Sequence, residues 1–333
     1  MSRVTRSLRL ALLAVITIAA QTVTAAAPAA AAGPPSDAPR AALRAMAEDV
    51  AGADASVYGA RDDTGRGMDA VKIIQVPDGR YLAVYHTYLG GSFHSALAIS
   101  SDLLHWSFRR DFGAGSSQPT ITVAGSGYVV AWEQEPANHL AFRYFTDLGG
   151  LMGGPPQRSF DAPWRLSQCA EGTPSIFAVS LRPDIDHSVI DVGGHYFKNC
   201  DVDRQQRGTL TNFMSWSTAA QPLVDNALLH WGVRGNIGDR DPVGFAGFAF
   251  TMMEGQYVKG DFGSWRTFLF DQQTGNADPV NMRTHRGSTA FANPTATTIT
   301  APDGRRAVVF TTFIPSEGAA PTEAGSLIYY RVY

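Results

Sequence analysis

Five segments of this chain share one plan: a polar residue, a proline beside or near it, an apolar stretch, a Gly-containing turn and a second apolar stretch. They begin "GMDAVKIIQVPDGRYLAVYHTY", "SQPTITVAGSGYVVAWEQE", "EGTPSIFAVS" with "HSVIDVGGHYF", "DRDPVGFAGFAFTMMEGQYV" and "ANPTATTITAPDGRRAVVFTTF". The turn "PDGR" occurs in two of them, at Pro77–Arg80 and Pro302–Arg305. Starts recurring roughly every 50 residues or more are a period of propellers with insertions. A second echo, "LLHW" at Leu103–Trp106 and Leu228–Trp231, precedes a new start by about a dozen residues each time and supports the same period. Five units of about four strands predict an all-β, five-bladed β-propeller over residues 62–333. The abundance of turn formers, 33 Gly and 19 Pro, agrees with many short strands. A pair of β-sandwiches is the competing architecture, and it leaves the repeated starts unexplained.

In a propeller the first strand of each blade lines the central channel, so equivalent positions meet around the axis. The unit starts Asp69, Gln118, Glu171, Asp241 and Asn293 are therefore expected to converge on one polar funnel. Three carboxyls there suit glycoside hydrolysis, in which one protonates the leaving oxygen and another attacks or activates water. Neighbouring acids push each other's pKa values apart, so that one stays protonated. On this reading Glu171 is the general acid and Asp69 the base or nucleophile. Asp241 tunes the acid or holds a hydroxyl, and Arg240 orients a carboxylate. Gln118 and Asn293 bind substrate. Taken singly, each of these residues before a proline is more simply a turn former.

The segment "AISSDLLHWSF", Ala98–Phe108, resembles the "S-x-DL-x-x-W" strand of five-bladed glycoside hydrolases, the invertase/levansucrase and family 43 arabinanase/β-xylosidase enzymes. "EGTPSIF" is similar to their acid-bearing "EGP" segment, "DRDPVGF" to the "RDP" segment, and "MDAVKII" stands where they carry their first Asp. The resemblance covers about residues 62–333. It implies a glycosidase acting on furanosides of arabinan or fructan type, with Glu171 as acid, Asp69 as base or nucleophile and Asp241 as transition-state stabiliser. Ala70 stands where the family usually has Pro, and the Glu precedes the RDP-like Asp instead of following it. A propeller that binds glycans without cleaving them is the alternative from a different class.

The N-terminus reads as a secretory signal over residues 1–32. Arg3, Arg6 and Arg9 precede the apolar run Leu10–Ala20, and small residues follow. The protein is expected outside the cytoplasm. Residues 33–61 are expected to hold one amphipathic helix, with Leu43, Met46 and Val50 on one face, and a linker. The two cysteines, Cys169 and Cys200, are an expected disulfide, with two buried thiols as the alternative. A net charge of −3 gives no basic footprint for nucleic acid or membrane, so the expected partner is a poly- or oligosaccharide bound by a monomer. No histidine pair has zinc-ligand spacing, and no cofactor is expected to be required. Converging carbonyls and acids leave a structural calcium in the channel as an option. "DVDRQQRG", Asp201–Gly208, reads as an exposed loop tethered at Cys200. Trp132 is a candidate sugar platform, Trp106 and Trp231 are expected in blade packing, and Trp164 and Trp265 in loops that shape a cleft. Glu133 and Glu135 read as solvated surface.

Overall fold

A computed structural model describes residues 34–333; the signal expected over 1–32 lies outside them. Twenty strands form five four-stranded antiparallel sheets, the blades of a propeller. Blade 1 holds β2 (Asp69–Gln75), β3 (Tyr81–Leu89), β4 (Ser92–Ser100) and β5 (Ser107–Ala114). Blade 2 holds β6 (Ser116–Ala124), β7 (Gly127–Gln134), β8 (His139–Phe145) and β9 (Arg158–Asp161). Blade 3 holds β10 (Glu171–Leu181), β11 (Ser188–Lys198), β12 (Val202–Thr211) and β13 (Ser215–Ala220). Blade 4 holds β14 (Arg240–Phe245), β15 (Phe248–Gln256), β16 (Trp265–Asp271) and β17 (Ala277–Val280). Blade 5 is built from both ends of the described chain: β18 (Ala292–Thr300), β19 (Arg306–Ile314), β20 (Gly325–Val332) and, as its outer strand, β1 (Ala55–Tyr58).

β1 pairs with β20 from Ala55↔Tyr330 to Tyr58↔Leu327 and closes the ring. The propeller therefore starts at residue 55, inside the segment read from the sequence as linker. Its blade-mates lie almost the whole chain away, and four residues are too short a run to announce a strand. Both "PDGR" segments form the same turn, between the first and second strands of blades 1 and 5. In each the Asp carboxylate accepts the N–H of the Arg two residues on, Asp78 from Arg80 and Asp303 from Arg305, at 3.1 and 3.0 Å. The glycine takes φ +90° at Gly79 and +85° at Gly304, a backbone region where a Cβ is strained. The "LLHW" echo is not structural. Leu103–Trp106 is the bend before β5, with Trp106 buried, whereas Leu228–Trp231 spans the end of helix α3 (Pro222–Leu229), where Trp231 is 41% exposed.

Apolar clusters fill the joints between blades. Leu82, Val84, Leu97, Val130 and Trp132 join blades 1 and 2, and Phe142, Ile190, Leu210 and Trp216 join blades 2 and 3. Helix α1 (Asp37–Glu48) precedes the sheets, as its sequence pattern predicts. It lays Leu43 and Ala47 against Phe250, Leu269, Phe310 and Tyr329 at the joint of blades 4 and 5, with Val50 just beyond its end. Burying one such aliphatic side chain is worth about 1.5–3 kcal/mol. The Ser36 hydroxyl does not cap this helix; it donates to the buried Asp271 carboxylate at 2.6 Å. Cys169 and Cys200 form a disulfide with a Cα separation of 5.7 Å, tying the lead-in of β10 to the β11–β12 turn. Closing a loop of this size stabilises by about 3–4 kcal/mol.

Candidate functional site

The innermost strands carry a repeated irregularity. The β-ladder slips between Asp69 and Lys72, Ser117 and Thr120, Gly172 and Ser175, and Ala292 and Thr295. Each slip holds one non-glycine residue of positive φ: Ala70 (50°), Gln118 (51°), Thr173 (48°) and Asn293 (47°). Such bulges re-aim side chains and store local strain. Three of them are held by a polar side chain on the second strand of the preceding blade. His86 Nδ1 accepts the N–H of Gln118 at 3.0 Å, Glu133 Oε2 that of Thr173 at 3.0 Å, and Glu254 Oε2 that of Asn293 at 2.6 Å.

This arrangement defines the rungs facing the axis. Asp69 stands opposite His86, Ser117 opposite Glu133, Gly172 opposite His195 and Ala292 opposite Phe313. In blade 4 the Glu254 N–H donates to the Asp239 carbonyl, so Asp239, just before β14, is the fifth first-strand position. All five second-strand residues, His86, Glu133, His195, Glu254 and Phe313, line one funnel of 540 Å³ together with Asp69.

The structure places the sequence candidates unevenly on this frame. Asp69, Gln118 and Asn293 line the funnel, and the two amides meet: Asn293 Nδ2 donates to Gln118 Oε1 at 3.0 Å between blades 5 and 2. Glu171 does not. It precedes its rung by one residue, and because successive strand side chains alternate faces, that single step turns it away from the funnel. Its Oε1 accepts the backbone N–H groups of Arg165, Leu166 and Ser167 at 2.7, 2.6 and 3.1 Å, so it pins the turn ahead of its own strand. Asp241 lies two residues past its rung and lines a separate cavity of 450 Å³, shared with Lys72, Thr120, Asp191 and Arg207. Arg240 is 1% exposed, and its guanidinium donates to the carbonyls of Thr173 and Gly238. Trp132 is buried on the face opposite Glu133, stacked on Phe112 at 5.3 Å, so it offers no platform in the funnel. Of the two tryptophans expected in loops, Trp265 is instead the first residue of β16, and it lines the funnel.

Several funnel residues were not singled out from sequence. Glu133, read as solvated surface, is 8% exposed and lines the funnel. "DVDRQQRG" is mostly strand β12 and brings Asp203 to the funnel wall, 3.5 Å from His195 Nε2. The missed signal is a polar residue closing the second apolar run in four of the five units: Tyr85-His86, Trp132-Glu133, Gly194-His195 and Met253-Glu254.

Electrostatics separates these groups. Burial raises the Asp69 carboxyl above the usual range, while the Ser326 hydroxyl at 3.2 Å and the charge of Arg61 pull the other way. Burial, reinforced by the charge of Asp239, pushes Glu254 up to about 7, against the N–H groups of Asn293 and Asp239. Burial brings His86 down to about 4, leaving a neutral imidazole that accepts the Gln118 N–H. Lys and Arg are missing among the described lining residues. The wall from blades 4, 5 and 1 is largely apolar, with Phe262, Trp265, Phe313 and Phe93, whereas Gln118, Glu133, Asn138 and Asp203 make the blade 2–3 side polar.

Between the two cavities the Lys72 ammonium is held by Ser175 Oγ at 2.6 Å, Asp239 Oδ1 at 3.1 Å, the Arg240 carbonyl at 3.1 Å and the Pro174 carbonyl at 3.5 Å. At this level of the channel the converging oxygens surround a cation of the chain itself. Among the described residues no group of three or more His, Cys, Asp or Glu could hold a metal ion.

Fold and site together define a five-bladed β-propeller whose channel opens at one end into a carboxylate-lined funnel. The sequence matches no family model and no curated protein. Solved structures that share the fold include glycoside hydrolases. One described by that name alone matches at TM-score 0.57 and 10% identity, over 88% of this protein and 95% of its own length. An α-L-arabinofuranosidase from Podospora anserina in complex with cellotriose matches at 0.53 and 9%, over 83% and 95%. A thermostable family-43 glycoside hydrolase matches at 0.52 and 10%, over 83% and 92%.

Proposed function

We propose that this protein is a secreted glycoside hydrolase, acting on furanosidic linkages of arabinan or fructan type, with its reaction centre in the funnel between Asp69 and Glu254. The observation that carries this reading is the pairing, in one cavity, of two carboxyls with different jobs available to them. Glu254 keeps its proton to about pH 7 and can give it to a leaving oxygen. Asp69 has one oxygen bonded to the Ser326 hydroxyl, and its other oxygen is available to attack an anomeric carbon or activate water. The shared fold with an arabinofuranosidase supports the furanoside class, and the signal-like N-terminus supports export. Glu171 and Asp241, favoured from sequence, are replaced in this scheme by Glu254 with Asp239 beneath it.

One observation favours binding without turnover. Both Glu254 oxygens already accept backbone N–H bonds, from Asp239 and Asn293, which suits a structural carboxylate. Purified protein incubated with arabinan, arabinoxylan, fructan and galactan separates the two readings. Release of reducing sugar from at least one is expected. Tight binding with no sugar released from any would replace the hydrolase reading with the lectin-like one.

A further inference from the structure

We infer that Lys72 is a positioning residue for the acid Glu254, acting through Asp239 from beneath the funnel floor; this rests on the reading of Glu254 given above. The chain of contacts is short. Lys72 Nζ lies 3.1 Å from Asp239 Oδ1, and the Asp239 backbone N–H donates to Glu254 Oε1 at 2.7 Å. Lys72 also lies 3.7 Å from Asp241 Oδ1, on the side of the second cavity. Lys72 and Asp239 are both almost fully buried, so solvent screens their charges little.

The charges along the axis explain why this lysine matters. Two cations, Lys72 and Arg240, stand among three carboxyls, Asp239, Asp241 and Glu254. Asp203 from β12 and Asp225 from α3 act on Arg240 from the blade 3 side, and neither β10 nor β18 adds an ionisable side chain to the contacts of Lys72 and Glu254. With all three axial carboxyls ionised the group carries one net negative charge; one retained proton makes it neutral. The compact ammonium offsets Asp239 and keeps its field on Glu254 moderate. Without it two cationic charges fall to one, and Glu254 must hold its proton more tightly. With Asp241 neutralised, Lys72 serves Asp239 alone, and Glu254 must release its proton more easily. Lys72 is not itself part of the funnel lining and faces the second cavity, so it works on the acid from outside the place where substrate sits.

The test follows the ¹³C shift of the Glu254 side-chain carboxyl with pH, assigned by its loss in Glu254→Gln, in wild type, Lys72→Met and Asp241→Asn. The alkaline limb of kcat/KM is measured on the same proteins. The expected midpoint rises by about one unit, tenfold in proton affinity, in Lys72→Met. It falls in Asp241→Asn, and the kinetic limb moves with it in each case. Midpoints unchanged in both variants, or displaced in the same direction, overturn the inference. If Lys72→Met does not fold, the sign in Asp241→Asn decides: a fall supports the inference and no change or a rise overturns it. Opposite midpoint shifts in a protein that cleaves no glycan keep the role of Lys72 and remove the hydrolase reading. Turnover with an unmoved Glu254 midpoint does the reverse.

Discussion

Asp69→Asn is expected to lower kcat by about 10³–10⁴ while leaving oligosaccharide affinity nearly unchanged. The amide keeps the volume and one acceptor oxygen, so Ser326 retains a partner for its hydroxyl. It has no charge with which to attack carbon or take a proton from water. The loss should be as large on activated aryl glycosides as on natural glycans, because the leaving group is not what Asp69 assists. Steady-state kinetics with both substrate types, beside isothermal titration with an oligosaccharide, measures the two quantities. Full activity in the folded variant would remove Asp69 from the chemistry.

Glu254→Gln is expected to cost about 10²–10⁴ on natural glycans and much less on aryl glycosides whose leaving groups depart without a proton. The same substitution should abolish the alkaline limb of the pH profile. The sign follows from the protonation states. A general acid must hold its proton, so activity that depends on Glu254 is present below about pH 7 and is lost as pH rises through it. Asp69 must be ionised, so the acid limb belongs to it and lies above the ordinary aspartate range. A bell-shaped profile on the acid side of neutrality is the expected wild-type result. Glu171→Gln is the informative companion. It removes the charge that organises the N–H groups of Arg165, Leu166 and Ser167 and should lower stability, while the folded fraction keeps its pH profile.

The parts of the fold that could be read from sequence are those set by local chemistry. The Asp-Gly of each "PDGR" turn needs an Asx-type acceptor and a positive-φ glycine, and both copies form the same hairpin. The spacing of Leu43, Met46 and Val50 marks a helix face; Leu43 and Met46 pack on blades 4 and 5 as one, and Val50 joins the same cluster from just past the helix end. What failed was register. A bulge inserts one residue into four of the five inner strands, and in three of them the proline of the unit start, Pro119, Pro174 or Pro294, lies inside the insertion. Counting from that proline therefore lands on the funnel at Gln118 and Asn293, one residue behind the rung at Glu171 and two beyond it at Asp241. Only Asp69, read as a residue standing before a long apolar strand, falls on its rung.

The second strands are the more faithful guide, because their ladders carry no bulge at the funnel end. His86, Glu133, His195 and Glu254 each end an apolar run, and parity alone separates Glu133 in the funnel from Trp132 in the core. A polar side chain in that place has a structural reason as well as a chemical one. At His86, Glu133 and Glu254 it accepts the N–H of a strained residue in the next blade, which a regular ladder would have satisfied; His195 faces blade 4, whose inner strand has no bulge. The blade 5 equivalent is Phe313, and the following bulge residue is Ala70, beside Asp69. The bulge residue beside Asp69 is thus the one for which the preceding blade offers an apolar side chain in the bracing place.

The most direct test is a crystal structure of Asp69→Asn protein soaked with an oligosaccharide that the wild type cleaves. The expected result places the scissile anomeric carbon within the funnel, with residue 69 beneath it, Glu254 within hydrogen-bond reach of the leaving oxygen, and a sugar face against Phe262 or Phe93. Sugar seated at the Asp241 end of the channel, or against Glu171 and away from Glu254, would contradict it.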